Sequence, residues 1–246
     1  MKSELFSREL DTISDRSIRT FAQTALDLLP DYFYTVPASS TGKYHPAYAL
    51  GDGGLVRHTK AAARFAAHLL TLEQNRQQFT PTERDCIITA ILLHDGWKHG
   101  KSGGGYTIHE HPSICALWVK NEAKLSGIIP QESRDLIASG IASHMGEWNY
   151  SNRSDVVLEK PVTELQKFVH MCDYLASRKD IEVAFSNEQE AAAKAGTLEE
   201  YVMSFGKYRG QLLVDVFRTN RGYVEWMQGN MTLREPLKTY VAQLLG

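Results

Sequence analysis

The sequence predicts an all-α protein, in which a helical bundle is followed by a small C-terminal accessory module. Apolar residues recur at helical spacing in segment after segment of the first three quarters of the chain. The sequence indicates where one helix begins, since Thr80 can cap its N-terminus, Pro81 suits its first turn and Glu83 completes a capping box. This part contains no strand alternation of any length, and such a pattern predicts packed layers of helices.

Periodicity and chain breakers place the individual helices. The predicted helical segments span residues 14–29, 55–72, 80–95, 111–123, 131–144 and 161–178. Two loops separate them, one over 30–54 and one over 99–110, the second with three consecutive glycines. A polar, alanine-rich stretch over 186–200 indicates a helical spacer or a boundary, so we predict one domain over residues 1–190 and a second over 200–246.

Composition limits the class of protein. A hydrophobic fraction of 43% in 246 residues supports a real core, and a net charge of −2 argues against a surface that is basic all over. The longest apolar run, 86–93, is too short to span a bilayer, and the N-terminus lacks the features of a secretory signal. Three scattered cysteines form no CxxC pair. These observations predict a cytoplasmic protein that does not associate with membranes.

Ionisable residues fall on otherwise apolar faces of three predicted helices. They are His58, the adjacent pair His94 and Asp95, and Asp173. Burying an imidazole or a carboxylate is unfavourable unless it is paired or bound to a metal. A single case is usually a hydrogen-bonded core residue, but three helices doing this together favour a shared divalent ion. Nitrogen and oxygen ligands of this kind suit Mn, Fe, Co, Ni, Zn or Mg.

The order His58, His94-Asp95, Asp173 resembles the signature of the HD superfamily of metal-dependent phosphohydrolases. The likeness extends to the flanking segments GLVRHT, LLHDGWK and HMCDYLAS, which carry these residues, and it covers roughly 50–180. It implies a helical HD domain whose metal is held by these four residues. It also implies hydrolysis of a phosphoester bond.

Two further histidines, His111 and His144, stand between the HD pair and Asp173. The same order of six residues is found in the HD domain of YhaM-type 3′–5′ exoribonucleases, which this chain resembles. In HD relatives with two ions, histidines at these points supply the second site, so the resemblance implies one or two divalent ions. The alternatives are that His111 caps its helix, that His144 merely faces the cleft, or that His109 takes the place of His111.

The chemistry that the resemblance implies is physically reasonable for these residues. A divalent ion lowers the pKa of bound water and polarises a phosphoryl oxygen. Asp95 could bind metal and also hold or deprotonate the nucleophile. Lys98, one turn beyond His94, could reach a phosphate and offset its charge, or it could be an ordinary exposed lysine at a helix end.

The tail, about residues 203–228, resembles the small C-terminal module of exodeoxyribonuclease X-like proteins through its FGKYRG segment and the residues that follow. Basic residues are interleaved there with aromatic ones. The candidates for contact with nucleic acid are Lys207, Arg209, Arg218 and Arg221. They would suit phosphate contacts beside stacked bases, and the alternative is an aromatic core with solvated charges.

Three functions are compatible with these residues. The first is a metal-dependent phosphohydrolase with a 3′–5′ exonuclease-like activity on single-stranded nucleic acid. The second hydrolyses small nucleotides, as a dNMP 5′-nucleotidase or a dNTP triphosphohydrolase. The third is an inactive adaptor that binds nucleic acid, against which the intact ligand set weighs. A homo-oligomer is compatible with each of them.

Overall fold

A computed structural model describes residues 1–39, 45–103, 105–181, 198–203, 205–233 and 237–246. Over these residues the protein is all-α, which confirms the predicted fold class. They contain eleven α-helices joined by loops and short 3-10 turns, and no strand beyond an isolated bridge between Val202 and Leu212.

The chain divides into two compact units, Met1–Ile181 and Glu182–Gly246. The first unit contains α1 (Ser7–Leu10), α2 (Arg16–Leu28), α3 (Gly54–Leu69), α4 (Glu73–Gln78), α5 (Pro81–Leu93), α6 (His111–Asn121), α7 (Gln131–Ala142) and α8 (Glu164–Ala176). The second contains α9 (Leu213–Thr219), α10 (Arg221–Asn230) and α11 (Leu237–Leu245). Most of the predicted spacer over 186–200 lies outside the described residues, and the predicted domain limits stay a prediction.

Helix α5 is the centre of the first unit. Every residue from Asp85 to Leu93 is buried, and the helix packs against α2, α3, α7 and α8. The predicted capping box is present: the Thr80 hydroxyl accepts from the Glu83 amide at 3.2 Å, and the Glu83 carboxylate accepts from the Thr80 amide at 2.8 Å. A helix that is apolar on all sides is expected in the core. The residues that follow its C-terminal end therefore also begin inside the protein.

The helical spacing of His58, Ala62, Phe65 and Leu69 predicts that these residues form the buried stripe of α3, but the structure buries a different stripe. His58 and Ala62 are buried as expected, but Phe65 and Leu69 are only half-buried, and Ala66 is fully buried in their place. The small alanine side chains allow α3 to approach α5 and α8 closely, which places the bulkier residues at the edge of the interface.

The second unit has its own hydrophobic core. Its buried members are Met203, Leu213, Val216, Val224, Met227, Leu237, Tyr240 and Val241. Throughout the part of the chain that the structure describes, no helix has the length and apolar character needed to cross a membrane.

Candidate metal centre

The structure brings all six predicted metal ligands together in the first unit. They are His58 on α3, His94 and Asp95 in the turn after α5, His111 at the start of α6, His144 in the turn after α7, and Asp173 on α8. The four histidines and Asp95 are each at most 2% exposed, and Asp173 is half-buried. Five separate elements therefore converge on one point.

Three of the histidines are oriented by the same local hydrogen bond, from ring Nδ1 to the carbonyl oxygen three residues earlier. The distances are 2.7 Å from His94 to Ile91, 2.7 Å from His111 to Ile108 and 2.8 Å from His144 to Ile141. A carbonyl oxygen can only accept, so Nδ1 carries the proton. Each ring thus presents Nε2 to the centre, which is the arrangement found around metal-binding histidines.

A first group of ligand atoms gathers around His58, His94 and Asp173. Nε2 of His58 lies 2.9 Å from Oδ1 of Asp173 and 3.4 Å from Nε2 of His94. Nε2 of His94 lies 3.4 Å from Oδ1 of Asp173 and 3.4 Å from Oδ2 of Asp95. Ligands bound at about 2.0–2.2 Å from a tetrahedral or octahedral ion are themselves about 3.0–3.6 Å apart, so this group fits a divalent ion.

A second group of candidate ligand atoms faces Oδ1 of Asp95, and its member His144 also lies within 4.8 Å of ligand atoms of His94 and Asp173. Oδ1 of Asp95 is 3.0 Å from Nε2 of His111 and 3.8 Å from Nε2 of His144, and these two nitrogens are 3.2 Å apart. Oδ1 of Asp95 is buried without a hydrogen bond of acceptable geometry to any described residue. A buried carboxylate oxygen in that position fits a cation, because burial of an unsatisfied charge is otherwise strongly unfavourable.

The charged groups of the centre shift one another's pKa values. Burial raises the pKa of Asp95 and of Asp173, but nearby cationic groups, Lys98 and His94 for Asp95 and His94 for Asp173, outweigh it and hold both carboxyl pKa values well below their usual range. Burial lowers the pKa of His94, but the two carboxylates overcome it and raise that pKa to about 10. Burial and the charges of His94 and His111 lower the pKa of His144 to about 3. The same field that holds a proton on His94 attracts a metal cation.

Metal binding is therefore expected to strengthen as the pH rises. His94 must lose a proton before Nε2 can bind an ion, and with a pKa of about 10 that proton is present at neutral pH in the metal-free protein. Both aspartates are already ionised and His144 is already neutral, so none of these three groups has to lose a proton before an ion binds. Titration calorimetry with Mn²⁺ should show up to about a tenfold gain in affinity per pH unit between about pH 6 and 8.

Buffers of different ionisation enthalpy provide the control for this measurement. They should report the release of about one proton as the ion binds near His94. An affinity that does not change with pH, with no proton released in any buffer, would contradict the assignment of His94 as a protonated ligand.

Lys98 does not behave as an exposed lysine at a helix end. It is only 8% exposed, and its ammonium group donates to Oδ2 of Asp95. Its side chain lines the same cleft as most of the predicted metal ligands. A cation in this position can act on an anionic substrate.

The cleft beside the ligands has a volume of about 480 Å³, which is within the range of small-molecule sites. Besides ligands and Lys98, it is lined by His45, Tyr106, Trp148, Arg153, His170, Tyr174 and Arg178. Burial and the neighbouring His58 lower the pKa of His45 to about 4, so that ring is neutral. The walls thus combine positive charge with aromatic surface.

Three other histidines lie near the centre, and one of them, His109, is the alternative to His111. His109, the alternative to His111, is half-buried and lies outside the ligand groups and the cleft lining found among the described residues. His99 stacks on Tyr32, with ring centroids 5.1 Å apart. His170 lies behind a predicted ligand, because its Nδ1 donates to the carbonyl oxygen of His144 at 2.7 Å.

Sequence reasoning missed the aromatic and arginine residues of the cleft wall. Trp148 follows His144 by four residues, and Tyr174 follows Asp173 directly. Proximity to a predicted ligand was the available signal, and by itself it does not say which way a side chain points.

In the second unit, the four predicted nucleic-acid-binding residues fall into two kinds. Arg218 pairs with Asp215 at 3.5 Å, and Arg221 pairs with Glu225 at 2.8 Å. Lys207 lies over the rings of Tyr208 and Tyr223, at 4.8 and 5.2 Å, and Arg209 is exposed. Asp215 and Glu225 partly neutralise the charges of Arg218 and Arg221. Lys207 and Arg209 are therefore the better candidates for contact with a phosphate.

Gly206 permits this arrangement of the FGKYRG segment. Its φ is +69°, and a Cβ atom there would lie 2.5 Å from the hydroxyl of Tyr223. Tyr223 in turn stacks with Trp226, a half-exposed ring whose centroid is 5.8 Å away. Cationic and aromatic groups therefore share one exposed surface of this unit.

Comparison with known families identifies both parts of the chain. The HD domain family matches residues 55–178, half of the chain, and the chain therefore belongs to this family. Its C-terminal part, residues 203–231, matches the family described as exodeoxyribonuclease X-like C-terminal. The predicted resemblances to the HD superfamily and to the exodeoxyribonuclease X-like C-terminal module are confirmed. No curated protein and no solved structure shows significant similarity to the chain.

Membership of the HD family, together with clustered histidines and aspartates that could hold a metal, gives this chain the features of a metal-dependent phosphohydrolase. HD domains bind divalent metals, and the donor atoms of each candidate group lie within 4.8 Å of one another.

Proposed function

We propose that this protein is a metal-dependent phosphohydrolase that removes mononucleotides from the 3′ end of single-stranded nucleic acid. The observation that carries the proposal is the position of Asp95, whose Oδ2 faces His94 at 3.4 Å while its Oδ1 faces His111 at 3.0 Å. One carboxylate that is shared between two ligand groups supports a pair of ions, which is a common arrangement in enzymes that cleave phosphodiesters.

In this proposal, His58, His94, Asp95 and Asp173 hold one ion, and Asp95, His111 and His144 hold the second. Bound ions would lower the pKa of a water molecule and polarise the phosphoryl oxygens. The Nδ1 hydrogen bonds of His94, His111 and His144 keep the ligand nitrogens in place before substrate arrives.

Side chains beside the proposed ions would position the attacking water and stabilise the charge on the phosphate. The ionised carboxylate of Asp95 can accept a hydrogen bond from the attacking water and hold it in line. Lys98 offsets the charge that develops on the phosphate, and Arg153 and Arg178 add positive charge along the cleft. The cleft walls exclude bulk water from part of the site, which strengthens each of these interactions.

Preference for a polynucleotide is supported by the second unit. Its exodeoxyribonuclease X-like segment carries the exposed residues Lys207 and Arg209. Lys207 lies over the rings of Tyr208 and Tyr223, and Tyr223 stacks with Trp226. Positive charge beside stacked aromatic rings suits a single strand, since phosphates and base faces are bound at the same time. The resemblance of the HD part to YhaM-type exoribonucleases favours the same substrate.

A second candidate is the hydrolysis of free nucleotides. The cleft volume of about 480 Å³ suits a ligand the size of a mononucleotide, and the net charge of −2 gives no general attraction for a polyanion. An inactive adaptor is the third candidate, and the complete ligand set weighs against it, because binding alone needs no buried metal ligands.

A panel of substrates separates these candidates. The full chain is incubated with Mn²⁺ or Ni²⁺ and with dNMPs, dNTPs, cyclic dinucleotides and 3′-labelled single strands. Labelled mononucleotide from the strands, with inert free nucleotides, is the expected result. Phosphate or pyrophosphate release from free nucleotides alone would select the second candidate. Strand binding without turnover under any metal would select the third.

The double variant Lys207→Ala/Arg209→Ala is expected to weaken single-strand binding at low salt. Removal of two phosphate contacts should also reduce the salt dependence, by up to about 0.7 in log–log slope per contact. Fluorescence anisotropy of a labelled oligonucleotide, measured over a range of salt concentrations, tests this.

The matched control for that variant is Arg218→Ala/Arg221→Ala, which removes the same charge from residues already paired with Asp215 and Glu225. It should change the slope less. Equal effects of the two double variants would contradict a specific role for Lys207 and Arg209.

A further inference from the structure

The wall of the cleft includes two nearly parallel aromatic rings that lie close along the chain to two predicted metal ligands. The rings of Trp148 and Tyr174 are stacked, with centroids 5.6 Å apart and an angle of 11° between their planes. Tyr174 directly follows Asp173 on α8, and Trp148 follows the turn that carries His144. Both line the cleft together with those ligands. The rings are therefore fixed relative to the metal centre.

Trp148 is 44% exposed and borders the cleft, so part of its indole is accessible there. Its contact with Tyr174 covers one part of the indole and leaves another part accessible. An accessible aromatic face beside a phosphate-binding centre matches the shape of a nucleoside phosphate, in which a flat base is joined through a sugar to the phosphate.

Arg178 completes this surface. Its guanidinium group lies 4.6 Å from the centroid of Tyr174 and 5.7 Å from that of Trp148. Its Nε is buried and has no hydrogen-bond partner among the described residues. Because a buried donor without an acceptor is unfavourable, this N–H group is available to a ligand oxygen or ring nitrogen.

His170 contacts both the aromatic surface and the turn that carries the predicted ligand His144. This ring donates from Nδ1 to the carbonyl oxygen of His144 at 2.7 Å, and its Nε2 lies 3.2 Å from Glu147. It packs 6.1 Å from the centroids of both Trp148 and Tyr174. The rings and the ligand His144 therefore hold a fixed mutual position.

A glycine makes room for His170. Gly146 has a φ of +59°, and a Cβ atom at this position would lie 2.2 Å from Cε1 of His170. Any other residue would have to displace the His170 ring or strain the backbone. The turn between His144 and Trp148 is thus closely fitted to the ring that supports the aromatic surface.

From these contacts we propose that Trp148, backed by Tyr174, is a stacking platform for the base of a nucleoside 5′-phosphate, with Arg178 as a hydrogen-bond donor to the same ligand. The proposal rests on the proposed function in that the phosphate occupies the metal centre. It adds that the base contributes to affinity through ring stacking, whether the nucleotide is free or is the 3′ end of a strand.

Binding without turnover tests this independently of activity. Titration calorimetry of the full chain with Ca²⁺ compares dAMP with deoxyribose 5-phosphate, which has the phosphate and sugar but no base. The wild type is expected to bind dAMP about 5- to 150-fold more tightly, the usual range for one stacked base. Trp148→Ala should lose most of that ratio and leave the affinity for deoxyribose 5-phosphate unchanged. Trp148→Phe should retain much of it.

Tyr150→Ala is the matched control, since Tyr150 is an exposed aromatic residue of the same segment outside the cleft lining. It should keep the wild-type ratio. A ratio near one in the wild type, or the same ratio in Trp148→Ala, would overturn the platform.

A strand with a normal or an abasic 3′-terminal residue separates the two proposals. If Mn²⁺-dependent cleavage of both strands occurs and Trp148→Ala raises KM for the normal strand only, both stand. If no strand or nucleotide is cleaved while dAMP still binds through Trp148, the platform stands and the proposed hydrolysis fails. If cleavage occurs with no difference between the two strands, the platform fails and the hydrolysis stands.

Discussion

Replacement of Asp95 by alanine is expected to lower kcat/KM by about a thousandfold or more. Its two oxygens face the two groups of candidate ligands, so we expect the variant to lose one proposed ligand from each group and also the charge that faces Lys98. Bound ions contribute several kcal/mol of transition-state stabilisation, and about 4 kcal/mol corresponds to a factor of about a thousand. Steady-state kinetics with the substrate identified by the panel, together with metal analysis, measures the loss.

Two variants make this result specific. Asp95→Asn keeps the volume of the side chain but removes its charge, and it should lose nearly as much activity as Asp95→Ala. Asp135→Ala, which changes a half-exposed aspartate on α7, should leave turnover unchanged. Far-UV circular dichroism should show a helical fold in all three. Wild-type turnover and metal content in Asp95→Ala would remove Asp95 from the site.

The double variant His111→Ala/His144→Ala is expected to reduce the number of bound ions from two to one per chain. These two histidines face Oδ1 of Asp95, whereas His58 faces Oδ2, so we expect the first group of candidate ligands to keep its ion. Activity should fall by about a hundredfold or more, because one ion can no longer share the charge of the attacking and leaving oxygens. Metal content after dialysis and titration calorimetry give the stoichiometry.

Single variants on α3 provide the comparison for this experiment. His58→Ala should remove the other ion, whereas His68→Ala, on the exposed side of the same helix, should bind metal as the wild type does. A wild-type stoichiometry of one ion, or a double variant that still binds two, would contradict the assignment of two ligand groups.

Much of the fold followed from local patterns in the chain. The capping box at Thr80 and Glu83 and the apolar run of α5 identified the central helix, and both are present in the structure. Local reasoning was less accurate at helix faces. On α3 it selected Phe65 and Leu69 for the core, but close packing against α5 and α8 favours the smaller Ala66 there.

The sequence by itself determined that the protein is helical and which ionisable residues stand on apolar faces, because both follow from the spacing of residues along one helix. Only the tertiary structure decided that Asp95 lies between two ligand groups, that Lys98 is buried against it, and that Trp148 stacks on Tyr174. These contacts depend on how helices far apart in the chain pack together, and the direction of each side chain is set by neighbours that no local pattern specifies.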